Sequence, residues 1–136
     1  MTQKVNSPEL GSCKNGTLLE ARLANVPLAQ RFVAAALTAA GLPEDRVMRA
    51  ELIVEELFRN AVLHGYGGDS ARPVWLQVTG EGFVFEDEAP AFDPLHAGVV
   101  VLPGQVGGAG LPLIRSLGRS ASYDYAAGRN RVRISV

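Results

Sequence analysis

Few features of the chain point to an oxidising, metal-rich or strongly charged environment. One cysteine, Cys13, rules out an internal disulfide, and with two histidines no Cys/His cluster has zinc spacing. This favours a reducing, cytosolic setting. Neither sign of charge is in excess: 13 Lys and Arg against 14 Asp and Glu leave a net charge of −1 at pH 7. Such a balance gives no electrostatic case for a nucleic-acid or membrane partner. No apolar run is long enough to span a bilayer, and residues 1–15 lack the apolar core of a signal peptide. They read as a flexible tail ahead of one domain over residues 16–136. The 47% apolar and 20% charged content suits a globular chain with a packed core.

The most informative stretch is AELIVEELFRNAVLHGY, residues 50–66. At about 100° per residue, Val47, Ala50, Val54, Leu57 and Ala61 form the core stripe of a helix. Glu55 and Arg59 fall on the outer face as an i,i+4 ion pair. Glu56 and Asn60 belong to neither set. They stack one turn apart at the border of the stripe, flanked by Leu52, Ile53 and Leu63. A carboxylate and an amide bordered by aliphatic groups suggest a cleft wall, because unpartnered polar groups are costly to bury. The bland alternative is a solvated Glu56 and an Asn60 that helps end the helix.

Around this helix the expected order is strand, helix, helix, strand, strand. Residues 17–25 alternate, with Leu19, Ala21 and Leu23 on one side. Pro27 opens a helix to about Ala40, with Leu28, Phe32, Ala35, Ala36 and Ala39 inward, and Gly41 stops it. Pro43 starts the long helix, which Gly65, Gly67 and Gly68 end. Residues 74–79 alternate and turn at Gly80 and Gly82 into Phe83–Glu86. Residues 87–109 fit no element, a length that in a compact domain usually marks function or mobility. A helix over 111–117 and strands at Ser120–Tyr125 and Arg129–Val136 close the chain. The pattern predicts an α+β two-layer sandwich with a mixed, mostly antiparallel sheet and helices on one face.

Three segments are candidates to meet at one cleft. The first is Glu56 with Asn60. The second is DEAPAFD, residues 87–93, after a strand. The third is GGAG, residues 107–110, before a helix. Glycines at a helix N-terminus let backbone N–H groups approach phosphate oxygens. A carboxylate past a strand end can accept from an exocyclic amine such as that of adenine. An Asn amide oxygen is a hard ligand suited to Mg²⁺. Singly, Asp87 reads as a turn residue and the glycines as a loop leading into a helix. Their combination in this order is far more specific.

In that order the segments resemble the three boxes of the GHKL superfamily of ATP-binding domains, and most closely its anti-sigma-factor serine/threonine kinase branch. The boxes are Glu56–Tyr66, Asp87–Pro94 and Gly107–Arg115, and the ending Tyr125–Arg133 is also similar. The resemblance implies a Bergerat-type helix-over-sheet fold with ATP and Mg²⁺ as cofactors. It makes Glu56 the general base, Asn60 the magnesium ligand, and Asp87 the adenine-amine acceptor supported by Asn130, directly or through water. The implied nucleotide-binding set is Asn60, His64, Asp87, Ala89, Ala91, Phe92, Gly107, Gly108, Gly110, Leu111 and Asn130. His64 has a structural place near the helix end as its alternative, and residues 94–106 would be the ATP lid. The implied partners are an anti-sigma-factor antagonist protein as substrate and a sigma factor or similar regulator, with a homodimer possible.

The chain departs from the family pattern in two places. Ala89 and Ala91 stand where glycines are usual, and alanine disfavours positive φ. Between Asp93 and Arg115 there is no Lys or Arg, and His96 is the one candidate cation. Some related kinases place an arginine where Val106 stands, and losing such a cation costs about 10³–10⁵ in rate. A catalytically weak ATP/ADP-binding module acting by stoichiometric partner binding is therefore the rival expectation. The apolar run Val99–Leu102 either folds back on the core or meets a partner. Trp75 and Tyr123 are expected in the core or at an interface, without chemistry. A sensor histidine kinase module is disfavoured, because neither His64 nor His96 stands on a separate phospho-accepting hairpin.

Overall fold

The structure, a computed structural model, describes residues 15–95 and 117–136. The chain runs through β1 (Gly16–Glu20), a 3-10 turn (Leu23–Asn25), α1 (Val26–Ala39) and α2 (Glu44–Asn60). A π turn (Ala61–Gly65), β2 (Pro73–Thr79), β3 (Gly82–Asp87), β4 (Ser120–Ala126) and β5 (Arg129–Ser135) follow. The strands form a five-stranded sheet in the order β1-β2-β3-β5-β4. Each neighbouring pair is antiparallel, so among the described residues the sheet is not mixed. With α1 and α2 on one face, this is the two-layer α+β sandwich expected from the pattern.

Alternation decides which way the sheet faces. Val74, Leu76 and Val78 on β2, Phe83 and Phe85 on β3, and Val132, Ile134 and Val136 on and just after β5 are all buried beneath the helices. Val47, Ala50, Val54, Leu57 and Ala61 of the second helix are buried as its periodicity predicts, together with Ile53, Phe58 and Val62. Phe58 meets Phe85 edge-on at 6.3 Å and 77°, tying α2 to the middle of the sheet. Pro43 supplies an extended residue at the start of α2, and Glu44 and Asp45 complement the helix dipole in its first turn. No described helix is long and apolar enough to cross a membrane.

Several local expectations are corrected. The first strand ends at Glu20, not Asn25. Leu23 keeps the strand's parity, but its N–H is drawn to Asp69 Oδ1 at 2.8 Å and the chain coils into the 3-10 turn. In α1 the buried face is Val26, Ala29, Val33 and Leu37, whereas Leu28 is exposed. That face is about one residue, or 100°, from the expected one, because an alanine-rich helix carries little polar contrast to fix it. No ion pair joins Glu55 to Arg59 among the described residues; Glu55 accepts from Gln30 Nε2 of α1 at 3.5 Å. Trp75 is not in the core. It lies on the sheet face away from the helices, with the Arg129 guanidinium 3.5 Å from its ring centroid. The expected helix over 111–117 lies outside the described residues except for Leu117, which packs against the core.

Gly82 allows the tightest crossing in the sheet. A Cβ there would lie 1.8 Å from the Ile134 carbonyl oxygen, and backbone cannot yield as a side-chain tip can. Gly82→Ala is therefore expected to destabilise the protein by about 3 kcal/mol or more in urea denaturation. A change at the exposed Ser120 on the edge strand should stay within about 0.5 kcal/mol.

Candidate functional site

The site begins where α2 stops being α-helical. After Asn60 the chain widens into the π turn, with the Tyr66 N–H donating to the Ala61 carbonyl at 2.8 Å. Leu57, Asn60, Ala61, His64 and Gly65 then share one face and form one wall of a cavity of about 220 Å³. The floor is the end of the sheet, with Phe85 and Asp87 of β3 and Asn130 and Val132 of β5. The opposite wall is the loop after β3, from Ala89 to Phe92, with Pro94. A mostly apolar hollow with a few convergent polar groups is the usual form of a small-molecule site.

Asp87 is the focus of that hollow. It is buried, and among the described residues no cation contributes to its electrostatics. Its Oδ1 accepts from Asn130 Nδ2 at 2.9 Å and from the Ala89 N–H at 3.0 Å. Burial pushes the carboxyl above its ordinary range, and these two hydrogen bonds oppose the shift without cancelling it. Oδ2 accepts from no described group. A buried carboxylate with no counter-ion among the described residues, one oxygen held and the other without a described donor, is suited to accept from a ligand amine.

Asn130 opposes Asp87 across the β3–β5 ladder. Its Nδ2 also donates to the carbonyls of Ala89 at 2.9 Å and Pro90 at 3.1 Å, while Oδ1 accepts from the Phe92 N–H at 2.9 Å and the Tyr123 hydroxyl at 2.6 Å. The support for Asp87 is therefore a direct contact, and Asn130 has no capacity left for a ligand.

On the helix wall, the half-buried Asn60 carboxamide makes no hydrogen bond with a described residue, which leaves its oxygen available as a hard ligand. Glu56 stands one turn earlier, about 6 Å along the axis, and is not among the described residues that line the cavity. Burial raises its pKa, Glu55 adds to the rise and Arg59 opposes it. No group of three or more His, Cys, Asp or Glu among the described residues forms a metal cluster. A cation here would rest on Asn60, waters and ligand phosphates, as Mg²⁺ does.

The remaining expected residues divide cleanly. His64, Ala89, Ala91 and Phe92 all line the cavity. The alanines are unstrained, because Ala127 is the one described non-glycine residue with positive φ. Ala89 is accommodated instead by Gly65, where a Cβ would come within 2.9 Å of the Ala89 Cβ. Gly107, Gly108, Gly110 and Leu111 lie outside the described residues, as do His96, Val99–Leu102, Val106 and Arg115. Sequence reasoning missed two hydroxyls. Tyr66 accepts from the Glu88 N–H at 2.6 Å and donates to the Pro73 carbonyl at 2.7 Å, and Tyr123 reaches Asn130. Tyr66 sits inside the first box, and the hairpin register puts Tyr123 diagonally across from Asn130; these were the available signals.

Residues 19–136 match the family model described as a histidine kinase-like ATPase domain, and the chain belongs to that family. No curated protein matches the chain closely. The family supports ATP binding, and the apolar hollow around Asp87 is the part of the described structure suited to the base.

For Asp87 the pH dependence has two opposite signs. Its folded-state pKa is raised, so the charged carboxyl opposes folding above that pKa and the penalty is relieved as pH falls through it. Binding of a ring amine needs the charged acceptor, so it is present above the same pKa and lost on acidification. Calorimetry should show ADP affinity beginning to fall at a pH above the ordinary aspartate range. Asp87→Asn, which places an N–H₂ where the free oxygen stood, should weaken ADP binding by about 10- to 100-fold and abolish that pH dependence. The same variant should melt no lower than the native protein.

Proposed function

We propose that the protein is a Mg-ATP-dependent protein serine/threonine kinase of the anti-sigma-factor type. It phosphorylates a small antagonist protein and binds a sigma factor or an equivalent regulator. One observation carries the reading: Asn60, whose amide makes no hydrogen bond with a described residue, lines the same cavity as Asp87, and the half-buried Glu56 stands one turn before it on the helix. In this reading base recognition rests on Asp87, and phosphoryl chemistry on Asn60 and Glu56. The resemblance of the three boxes to that kinase branch supplies the substrate class.

In this reading Asp87 Oδ2 accepts from the adenine amine and the Ala89–Phe92 wall covers the ring. Asn60 would hold a magnesium ion, which would supply charge neutralisation for the nucleotide's phosphates. Glu56 takes the proton of the partner's serine or threonine hydroxyl as that oxygen forms its bond to the γ-phosphorus. The bond from the γ-phosphorus to the β–γ bridging oxygen breaks, and ADP leaves with the electron pair. The raised pKa of Glu56 moves it towards the working pH, where a general base is most effective.

A second reading is favoured by the absence of Lys and Arg between Asp93 and Arg115. With no Lys or Arg from that segment to stabilise the moving phosphoryl group, the protein would act as an ATP- or ADP-loaded module that sequesters its partner stoichiometrically. Turnover separates the two. With Mg-ATP and a small antagonist protein of the anti-sigma-factor type as substrate, Glu56→Gln should lower phosphoserine or phosphothreonine formation by about 10²–10⁴-fold. Its ADP affinity should stay within about two-fold of native. A native protein that binds ATP tightly yet phosphorylates no partner residue would defeat the kinase reading and leave the second.

A further inference from the structure

The loop after β3 has no regular structure from Glu88 to Asp93, yet it forms a wall of the cavity. A tyrosine hydroxyl holds its main chain at each end, Tyr66 on the Glu88 N–H and Tyr123 on the Phe92 N–H at 3.2 Å. Tyr123 comes from β4, the edge strand, where every other residue is exposed. It is not among the described residues lining the cavity, so it reaches the site through others.

We infer that Tyr123 is a positioning residue for the base-binding carboxylate: its hydroxyl polarises the Asn130 amide, which holds Asp87 Oδ1 and leaves Oδ2 as the free acceptor. The inference rests on the adenine-nucleotide reading above. The direction of each bond follows from chemistry. The Phe92 N–H can only donate, so it faces Asn130 Oδ1; the Ala89 and Pro90 carbonyls can only accept, so they face Nδ2. Asn130 Oδ1 is therefore the acceptor of the Tyr123 proton at 2.6 Å. A carbonyl accepting two hydrogen bonds makes its own N–H₂ a stronger donor, here towards Asp87 Oδ1 at 2.9 Å. Burial raises the Tyr123 pKa and keeps that proton in place.

The test is Tyr123→Phe, which removes one oxygen and keeps the ring. Tyr125→Phe is the control, since Tyr125 lies on the same strand, is exposed and makes no described hydrogen bond. Two quantities are read: the titration midpoint of the Asp87 carboxyl carbon by NMR without ligand, and the ADP affinity by calorimetry. Among the described residues, the titratable groups near Asp87 are His64 and Tyr66 from the end of the second helix, Glu88 and Asp93 from the loop, and Tyr123 itself. Reading the Asp87 carbon directly keeps their titrations apart. In Tyr123→Phe the Asp87 midpoint should rise and ADP affinity should fall by about five-fold, with neither change in Tyr125→Phe. An Asp87 midpoint equal to native would overturn the inference even with weakened affinity, because a merely structural anchor gives that pattern. If native protein binds no adenine nucleotide but the midpoint still rises, the nucleotide reading falls and the relay from Tyr123 to Asp87 stands.

Discussion

A single carboxylate, buried with no counter-ion among the described residues, constrains the rest of this site. Asp87 ends β3 beneath the second helix, where a charge is expensive unless hydrogen bonds support it. Asn130, its cross-strand partner, supplies one donor and the chain's own turn at Ala89 supplies the other. Both act on the same oxygen. The asymmetry leaves one lone acceptor facing an apolar hollow, and a ligand amine is the group that would complete it.

The scaffold around that carboxylate is arranged to keep the loop after β3 close. Gly65 at the end of the π turn gives Ala89 room. Tyr66, whose phenol burial pushes up to about 12, keeps its proton for the Pro73 carbonyl while accepting from the loop. Asn130 takes two loop carbonyls and one loop N–H. An irregular segment thereby acquires the rigidity of the sheet beside it. The helix wall then faces the loop with the Asn60 amide, which the core does not need.

Contrast between polar and apolar positions explains what was legible in the sequence. The second helix carries charged residues on all but one stripe, so its buried face and the odd placement of Glu56 and Asn60 could be read directly. The first helix is rich in alanine, and the same periodicity argument chose a face about 100° away from the buried one. Leu23 continued the strand's alternation, so the strand's end at Glu20 was hidden until Asp69, distant in sequence, claimed its N–H. Asp87 and Asn130 were recognisable through their boxes. Tyr123 was not, because its role exists only through the β4–β5 register and a loop whose path no local pattern specifies.

The most direct test compares two nucleotides that differ at one atom position of the ring. In the proposed site ADP would present an exocyclic amine to Asp87 Oδ2, whereas IDP would present a carbonyl oxygen that meets it as acceptor against acceptor. Calorimetry in the presence of magnesium should show ADP binding at least about 100-fold tighter than IDP, as expected where a buried group loses its partner. Equal affinity for the two, or no heat with either, would contradict the assignment of Asp87 as the group that reads the base.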